Sequence, residues 1–167
     1  SQNKRVILVD TDMRKPRVHI FFELNYRKGL SALFVQKNLS VTELIHKTSI
    51  ENLFVLPCGV VPPNPAEMLS SDKMNQIMAE LENKFDLVIY DTPPINIVAD
   101  AQIMAGKVDG TIFVLRKNHD KKADIKKAKK LADAAQARVL GAVFNRESTK
   151  ENVRTYYYHY QDKSGQS

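Results

Sequence analysis

The sequence predicts an α/β fold with a mostly parallel sheet flanked by helices. Short apolar runs rich in β-branched residues are typical of buried strands, and they occur at residues 5–10, 52–57, 85–91, 110–115 and 138–145. Segments with helical spacing separate most of these runs. Because helices that alternate with apolar strands form right-handed crossovers, we expect the strands to lie parallel in a sheet.

The elements follow the chain in a regular order. The first strand contains four consecutive apolar residues, 6–9, and is therefore expected to be buried on both faces. Helices are predicted at residues 29–36, 41–46, 66–84 and 98–105. The second of these helices has a capping box, since Ser40 precedes it and Glu43 follows three residues later.

The composition is that of a soluble globular domain. The chain has 167 residues, 43% hydrophobic and 26% charged, which suits one domain with a sizeable core. No apolar run approaches the roughly 20 residues that span a bilayer. Cys58 is the single cysteine, which excludes an intrachain disulfide and favours a buried thiol in a reducing cytosol. The four histidines show no metal-ligand spacing, so no zinc site is predicted.

A net charge of +6 raises the question of an anionic partner. The excess is concentrated in lysines at positions 121, 122, 126, 127, 129 and 130. Ile125, Ala128 and Leu131 recur among them at spacings of three, which predicts an amphipathic helix with its lysines outward. A solvated helix face is the favoured interpretation, and attraction to an anionic inner leaflet is the alternative. The absence of interleaved aromatic residues argues against nucleic acid.

Aspartates follow two of the predicted strands, at the end where α/β sheets bind ligands. Asp10 and Asp12 come after the first strand and project to the same side of an extended segment. Asp91 ends the run at 85–91. Carboxylates that lie close together stay ionised only beside a cation or strong donors. Two parallel strands that bring carboxylates to one sheet edge are typical of nucleotide-bound Mg²⁺, although an isolated D-x-D is also an ordinary acidic turn.

Four motifs in this order resemble those of the bacterial tyrosine kinases, the P-loop-type autokinases of capsule and exopolysaccharide synthesis. Residues 6–17 resemble the Walker A′ motif, and residues 87–94 resemble Walker B with its D-T-P-P ending. Residues 61–71 resemble the P-P-N-P-x-E-L-L-S-S segment, and the tyrosines of residues 156–160 resemble the autophosphorylated tail. The resemblance implies a P-loop NTPase-like fold of the partition and cell-division ATPase superfamily, with ATP and Mg²⁺ as cofactors.

One motif of that family is missing. The 167 residues contain no G-x-x-x-x-G-K-[ST], the loop whose amides, lysine and hydroxyl hold phosphates and Mg²⁺. In the family this loop lies upstream of Walker A′. We therefore expect the chain to be a fragment without the first strand, the P-loop and the first helix, and to be inactive as a kinase by itself.

The resemblance also implies roles for individual residues. Asp10 would activate the acceptor hydroxyl or orient a water-bound Mg²⁺, while Asp12 and Asp91 would coordinate the ion. The division of roles between Asp10 and Asp12 stays open. Arg14 would neutralise phosphate charge, with a solvated loop as the alternative, and Arg17 is left unassigned.

The end of the chain is expected to differ from the rest. Residues 1–146 would form the nucleotide-binding kinase domain, incomplete at its N-terminus, and residues 147–167 a mobile tail. Asn145 and Arg146 end the last predicted strand. Because the P-loop folds that the chain resembles place adenine-contacting residues there, these two are candidates for contact with adenine, or else only a polar strand end. The phosphoacceptors implied by the resemblance are Tyr156, Tyr157, Tyr158 and Tyr160.

The implied function is ATP-dependent autophosphorylation in trans, which would regulate capsular or exopolysaccharide synthesis and export. The implied partners are a transmembrane activator or adaptor of the export system, a tyrosine phosphatase, and further copies of the chain in a ring while it is unphosphorylated. The implied location is the cytoplasmic face of the cell membrane, reached through the membrane partner. Two other classes stay open: a partition or cell-division ATPase that phosphorylates nothing, and a non-catalytic binding fragment.

Overall fold

The computed structural model describes residues 3–25, 27–116 and 119–145, and its fold is α/β, as predicted. The strands are β1 (Val6–Asp10), β2 (His46–Lys47), β3 (Leu53–Leu56), β4 (Leu87–Asp91), β5 (Thr111–Arg116) and β6 (Val139–Asn145). The helices are α1 (Val18–Phe21), α2 (Ala32–Val35), a 3-10 helix (Val41–Leu44), α3 (Pro65–Ser70), α4 (Asp72–Glu82), α5 (Asp100–Ala105) and α6 (Lys122–Ala134). The predicted tail at 147–167 lies outside the described residues.

Strand β1 lies inside a four-stranded sheet with the order β2-β3-β1-β4. It is parallel to β3 and β4, whereas the two-residue β2 is antiparallel to β3. Asp10 at the end of β1 is the register partner of Asp91 at the end of β4. Because parallel strands present their carboxyl ends at one edge, the sheet brings these two aspartates together.

The last two strands form a second parallel sheet instead of continuing the first, which differs from the single sheet expected. Among the described residues, no strand pairs with the outer edge of β4. Both sheets carry exposed apolar side chains, which are Leu87, Ile89, Ile112, Val114, Val139, Leu140, Val143 and Phe144. Faces of this kind in parallel sheets are normally covered by helices.

The core joins one face of β1 to α4. Ile7 and Val9 are fully buried, and they belong to one apolar cluster with buried residues of α3 and α4. Those residues are Leu69, Met74, Ile77, Met78 and Leu81. Burying each such side chain contributes about 1.5–3 kcal/mol. The opposite face of β1, at Val6 and Leu8, is only half-buried, so burial on both faces is incomplete.

The helix predicted at 66–84 is divided into α3 and α4. Ser71 lies between them with φ −69° and ψ 158°, which is outside the helical region. Its hydroxyl oxygen accepts a hydrogen bond from Met74 N at 3.3 Å and thereby caps α4. The sequence alone suggested one helix because the apolar spacing runs through the break, whereas serine competes for helix N-caps through this hydrogen bond.

The two short helices near the N-terminus also end differently from their predictions. The helix predicted at 29–36 is reduced to α2, because Leu30 N and Ser31 N donate to the carbonyls of Pro57 and Cys58 and hold this segment against the end of β3. The capping box is confirmed, since Ser40 N donates to Glu43 Oε1 at 3.0 Å. That helix is a 3-10 helix, and the residues after it turn into β2.

Helix α6 is amphipathic, as predicted. Ala128 and Ala132 are buried, and the lysines at 121, 122, 126, 127, 129 and 130 are all exposed. The favoured interpretation as a solvated basic face agrees with this arrangement, while attraction to an anionic leaflet stays a prediction. In the part of the chain that the structure describes, the helices are too short or too polar to cross a membrane.

Candidate functional site

Asp10 is the innermost carboxylate of the candidate site. Its side chain is fully buried, and its two oxygens accept hydrogen bonds from the backbone: Oδ1 from Asp12 N and Oδ2 from Val18 N, both at 3.1 Å. Burial raises the pKa of Asp10 to about 6, the Val18 amide opposes that rise, and repulsion from Asp91 and Asp12 adds to it. Asp10 therefore both closes the turn after β1 and carries a proton more readily than an ordinary carboxylate.

Asp12 occupies the tip of the same turn. Its Oδ1 accepts hydrogen bonds from Arg14 N at 3.1 Å and Lys15 N at 2.9 Å, and the residue is half-buried. No hydrogen bond to its other oxygen is found among the described residues. Asp12 is therefore more open to a ligand than Asp10.

Asp91 lies beside this turn and is tied to it through the backbone. Thr11 donates twice to the Asp91 carbonyl, from its amide at 2.9 Å and from its buried hydroxyl at 2.5 Å. Burial raises the pKa of the Asp91 carboxyl, and repulsion from Asp12 raises it further. The three aspartates thus form one group of interacting negative charges at the ends of β1 and β4.

Arg14 makes an ion pair that the sequence did not suggest. Its Nε donates to Asp100 Oδ2 at 2.8 Å and its second terminal nitrogen to Asp100 Oδ1 at 3.0 Å. Asp100 opens α5 and is fully buried, whereas the Arg14 side chain is 43% exposed. A phosphate contact of Arg14 stays a prediction. The solvated-loop alternative does not fit, because the guanidinium donates hydrogen bonds to both oxygens of a buried carboxylate.

Two other titratable side chains near the aspartates, those of Cys58 and Tyr90, are wholly or partly buried. Cys58 is buried as predicted, and its burial, with repulsion from Asp10 and Asp12, raises the pKa of its thiol to about 12. The thiol is therefore protonated and unreactive at neutral pH. Tyr90, the residue before Asp91, packs against the core, and burial raises the pKa of its hydroxyl.

The aspartates could supply some of the ligands of a Mg²⁺ ion, but not a complete coordination sphere. In the described ranges, no group of three or more metal-ligating residues is arranged to hold an ion by itself. Mg²⁺ usually keeps several waters and takes one or two carboxylates together with substrate phosphates. Asp12 and Asp91, two oxygen donors whose charges repel each other, fit that pattern.

The remaining predicted site residues are not brought to this group by the described structure. Asn145 ends β6, beside Arg116 of β5 and in the second sheet, so its contact with adenine stays a prediction. Arg146 and the acceptor tyrosines Tyr156, Tyr157, Tyr158 and Tyr160 lie outside the described residues.

Sequence reasoning missed Asp100 and Thr11. One signal for Asp100 was present: it is an acid inside a short segment of small and apolar residues, where a buried carboxylate requires a partner. No comparable signal marked Thr11, because a threonine after a strand is common and its backbone acceptor is visible only in three dimensions.

The chain is similar to a known protein family and to named tyrosine-protein kinases. A family model described as an AAA domain matches residues 1–116. CapB of Staphylococcus aureus is 41% identical over 95% of this chain and 69% of its own length. The tyrosine-protein kinase YwqD of Bacillus subtilis is 38% identical over 94% of this chain and 66% of its own. The chain thus spans about two thirds of these relatives.

Two solved structures resemble this chain, one in both sequence and fold and one in fold alone. The chimerical protein CapA2B2 superposes with a TM-score of 0.81 at 37% identity, covering 86% of this chain and 63% of that one. The septum site-determining protein MinD of Pyrococcus horikoshii, complexed with Mg-ADP, reaches 0.68 at 20% identity over 89% and 60%, which shows a shared fold alone. The chain belongs to the bacterial tyrosine kinase family.

Proposed function

We propose that this chain is part of the kinase domain of an ATP-dependent protein-tyrosine autokinase that regulates capsular or exopolysaccharide synthesis and export. It would phosphorylate the tyrosines of residues 156–160 in trans. The observation that carries the proposal is the group of Asp10, Asp12 and Asp91, which the parallel pairing of β1 with β4 assembles at one sheet edge. The names of the relatives support tyrosine as the acceptor.

The chemistry asks the protein mainly for positioning and charge neutralisation. Asp12 and Asp91 would hold Mg²⁺, which supplies positive charge beside the phosphates. A tyrosine hydroxyl has an ordinary pKa of about 10 and needs a proton acceptor at neutral pH. The raised pKa of Asp10 favours that role, and each of its oxygens has a second lone pair beside the one that accepts an amide.

Nucleotide binding, in this proposal, needs a further strand, loop and helix beyond the 167 residues. The phosphate-binding loop is absent from the sequence, and β4 has an unpaired outer edge among the described strands. The exposed apolar side chains of β4 and β5, such as Ile89 and Val114, support an additional strand and a covering helix at this place. The chain alone would then be inactive as a kinase.

Membership of the family supports a proposal for the partners and the location. The whole protein would act at the cytoplasmic face of the membrane with a transmembrane activator or adaptor, form a ring while unphosphorylated, and be reset by a tyrosine phosphatase. A partition-type ATPase, the competing function, would hydrolyse ATP at the same aspartates and leave tyrosine unmodified.

The test uses the full-length gene product with ATP and Mg²⁺, and mass spectrometry of the C-terminal peptide. Asp12→Asn and Asp91→Asn should each reduce phosphate on the tail tyrosines by orders of magnitude, because each removes charge from the Mg²⁺ shell. Lys129→Ala is the control, since among the described residues Lys129 pairs with Asp133, on the exposed face of α6. ATP hydrolysis without phosphotyrosine would favour the ATPase, and activity that survives both aspartate changes would refute the site.

A further inference from the structure

The ion pair of Arg14 with Asp100 joins the two segments that carry the candidate Mg²⁺ ligands. Arg14 lies two residues after Asp12, and Asp100 opens the helix that follows Asp91 through the connection at 92–99. A bidentate arginine–carboxylate pair fixes orientation as well as distance. The pair therefore restrains the turn after β1 against the segment after β4.

The restraint reaches Asp12 through one further hydrogen bond. The backbone amide of Arg14 donates to Asp12 Oδ1 at 3.1 Å, while the side chain of the same residue is held by Asp100. On the other side of the turn, Thr11 donates to the carbonyl of Asp91. The residues on either side of Asp12, Thr11 and the Arg14 side chain, are therefore both hydrogen-bonded to the segment 91–100.

Asp100 lies in the first turn of α5, where the helix dipole favours an acid, but it is not the N-cap residue. The N-cap position of α5 is Ala99, which makes no side-chain cap hydrogen bond, and Asp100 is fully buried, with Arg14 as its ion-pair partner. A buried ion pair contributes little net stability compared with well-packed apolar residues, so its best-attested use is to specify geometry. The prolines at 93 and 94 limit the backbone freedom of the connection, which helps it transmit that restraint.

We propose that Asp100 is a positioning residue that, through Arg14, fixes the Asp12 carboxylate relative to Asp91 for binding of a divalent cation with nucleotide. The inference rests on the proposed Mg²⁺ site. In this inference the guanidinium of Arg14 is bound by Asp100 in the absence of ligand, so its orientation is fixed before any phosphate binds.

The experiment measures binding of Mn²⁺, a paramagnetic substitute for Mg²⁺, to the full-length protein with saturating ADP, by electron paramagnetic resonance. Asp100→Asn removes the charge at nearly constant shape, and Arg14→Lys keeps a cation but cannot form the two-pronged pair. Each should weaken Mn²⁺ binding about 10–100-fold, the usual cost of removing a partner of a metal ligand. The double variant should be no weaker than the single ones, because both act through one pair.

A matched control comes from Arg116 and Asp120, an ion pair at 3.2 Å on the surface. Arg116→Lys and Asp120→Asn should leave Mn²⁺ affinity unchanged. ADP affinity without metal separates the alternatives: if Arg14→Lys weakens it and Asp100→Asn does not, Arg14 is a phosphate contact and the proposal is overturned. Unchanged Mn²⁺ affinity in both variants, with only a lower melting temperature, would also overturn it.

The proposal stays testable if Asp100→Asn does not fold. Arg14→Lys leaves a cation beside the buried carboxylate, and it must show the Mn²⁺ effect by itself. Because binding is read without phosphoryl transfer, wild-type protein that binds Mn²⁺·ADP but modifies no tyrosine contradicts the proposed function and leaves this inference intact. Wild-type protein that binds no Mn²⁺ with ADP removes the premise of the inference and overturns it.

Discussion

The buried charge of Asp10 should make the protein less stable as pH rises from about 4 to 6. The pKa of Asp10 is raised from 3.8 to about 6 in the folded state, mainly by burial. In this interval the folded protein holds a proton that the unfolded chain has released, so the free energy of unfolding decreases with pH. The stabilisation is complete below pH 3.8 and is lost through pH 6. A difference of about two pKa units corresponds to about 3 kcal/mol.

The assay is urea unfolding at pH values from about 4.5 to 7 without divalent cations, for wild type and Asp10→Asn. The variant is neutral at this position throughout, so the curve of wild type minus variant reports the titration of Asp10 together with its repulsion from Asp91 and Asp12. We expect that difference to fall by about 2 kcal/mol across the range, because part of the full effect is already lost at pH 4.5. The substitution also places a side-chain amide beside a backbone N–H, but any constant offset from this contact cancels in the slope. The raised pKa of Asp91 adds a slope of the same sign to both proteins.

Asp120→Asn is the control for removing a carboxylate. The pKa of Asp120 is lowered, first by the backbone amide of Arg116, so its contribution is lost only as pH falls below the measured interval. This variant should parallel wild type from about pH 4.5 to 7. If Asp10→Asn parallels wild type as well, Asp10 is not a buried, proton-binding carboxylate and the reasoning about the site is refuted.

Two further predictions concern the nucleotide and the backbone. The 167-residue chain alone should bind ATP·Mg²⁺ weakly or not at all, because Asp12 and Asp91 act without a phosphate-binding loop; a micromolar dissociation constant in calorimetry would contradict this. Gly29→Ala should destabilise the protein by about 1–3 kcal/mol or more in urea unfolding, since an added Cβ would lie 2.2 Å from the Pro57 carbonyl oxygen. Gly141→Ala is its control: among the described residues, no heavy atom other than those of its chain neighbours lies within 4 Å of the added carbon, and an equal loss there would contradict the packing argument.

The parts of the fold that the sequence predicted well are those governed by local periodicity. Apolar spacing predicts the strands that end at Asp10 and Asp91 and the amphipathic helix α6, and the structure has these elements at the predicted places. The division of the long helix at Ser71 could not be read in this way, because a serine side chain that caps a helix looks the same in sequence as one on its surface. The separation of β6 from the main sheet depends on strand pairing, which is not local.

The candidate site shows the same distinction at the level of single residues. The aspartates were identified because their positions after strands are visible in the sequence. The partner of Arg14 was not, since Asp100 lies 86 positions away and the pairing requires the two chain segments to be packed together. An arginine after a D-x-D turn suggested phosphate, and only the buried carboxylate opposite it shows that the guanidinium already has an anionic partner.

The turn after β1 is built by the same carboxylates that would perform the chemistry. Asp10 and Asp12 together accept backbone hydrogen bonds from Asp12, Val18, Arg14 and Lys15. These amides stabilise negative charge without any cation, and those from Val18 and Asp12 oppose the effect of burial on the pKa of Asp10. The carboxylates are therefore oriented by the backbone before a ligand arrives, which would lower the reorganisation needed for the proposed phosphoryl transfer. A neutral replacement at either position removes both the charge and part of what shapes the turn.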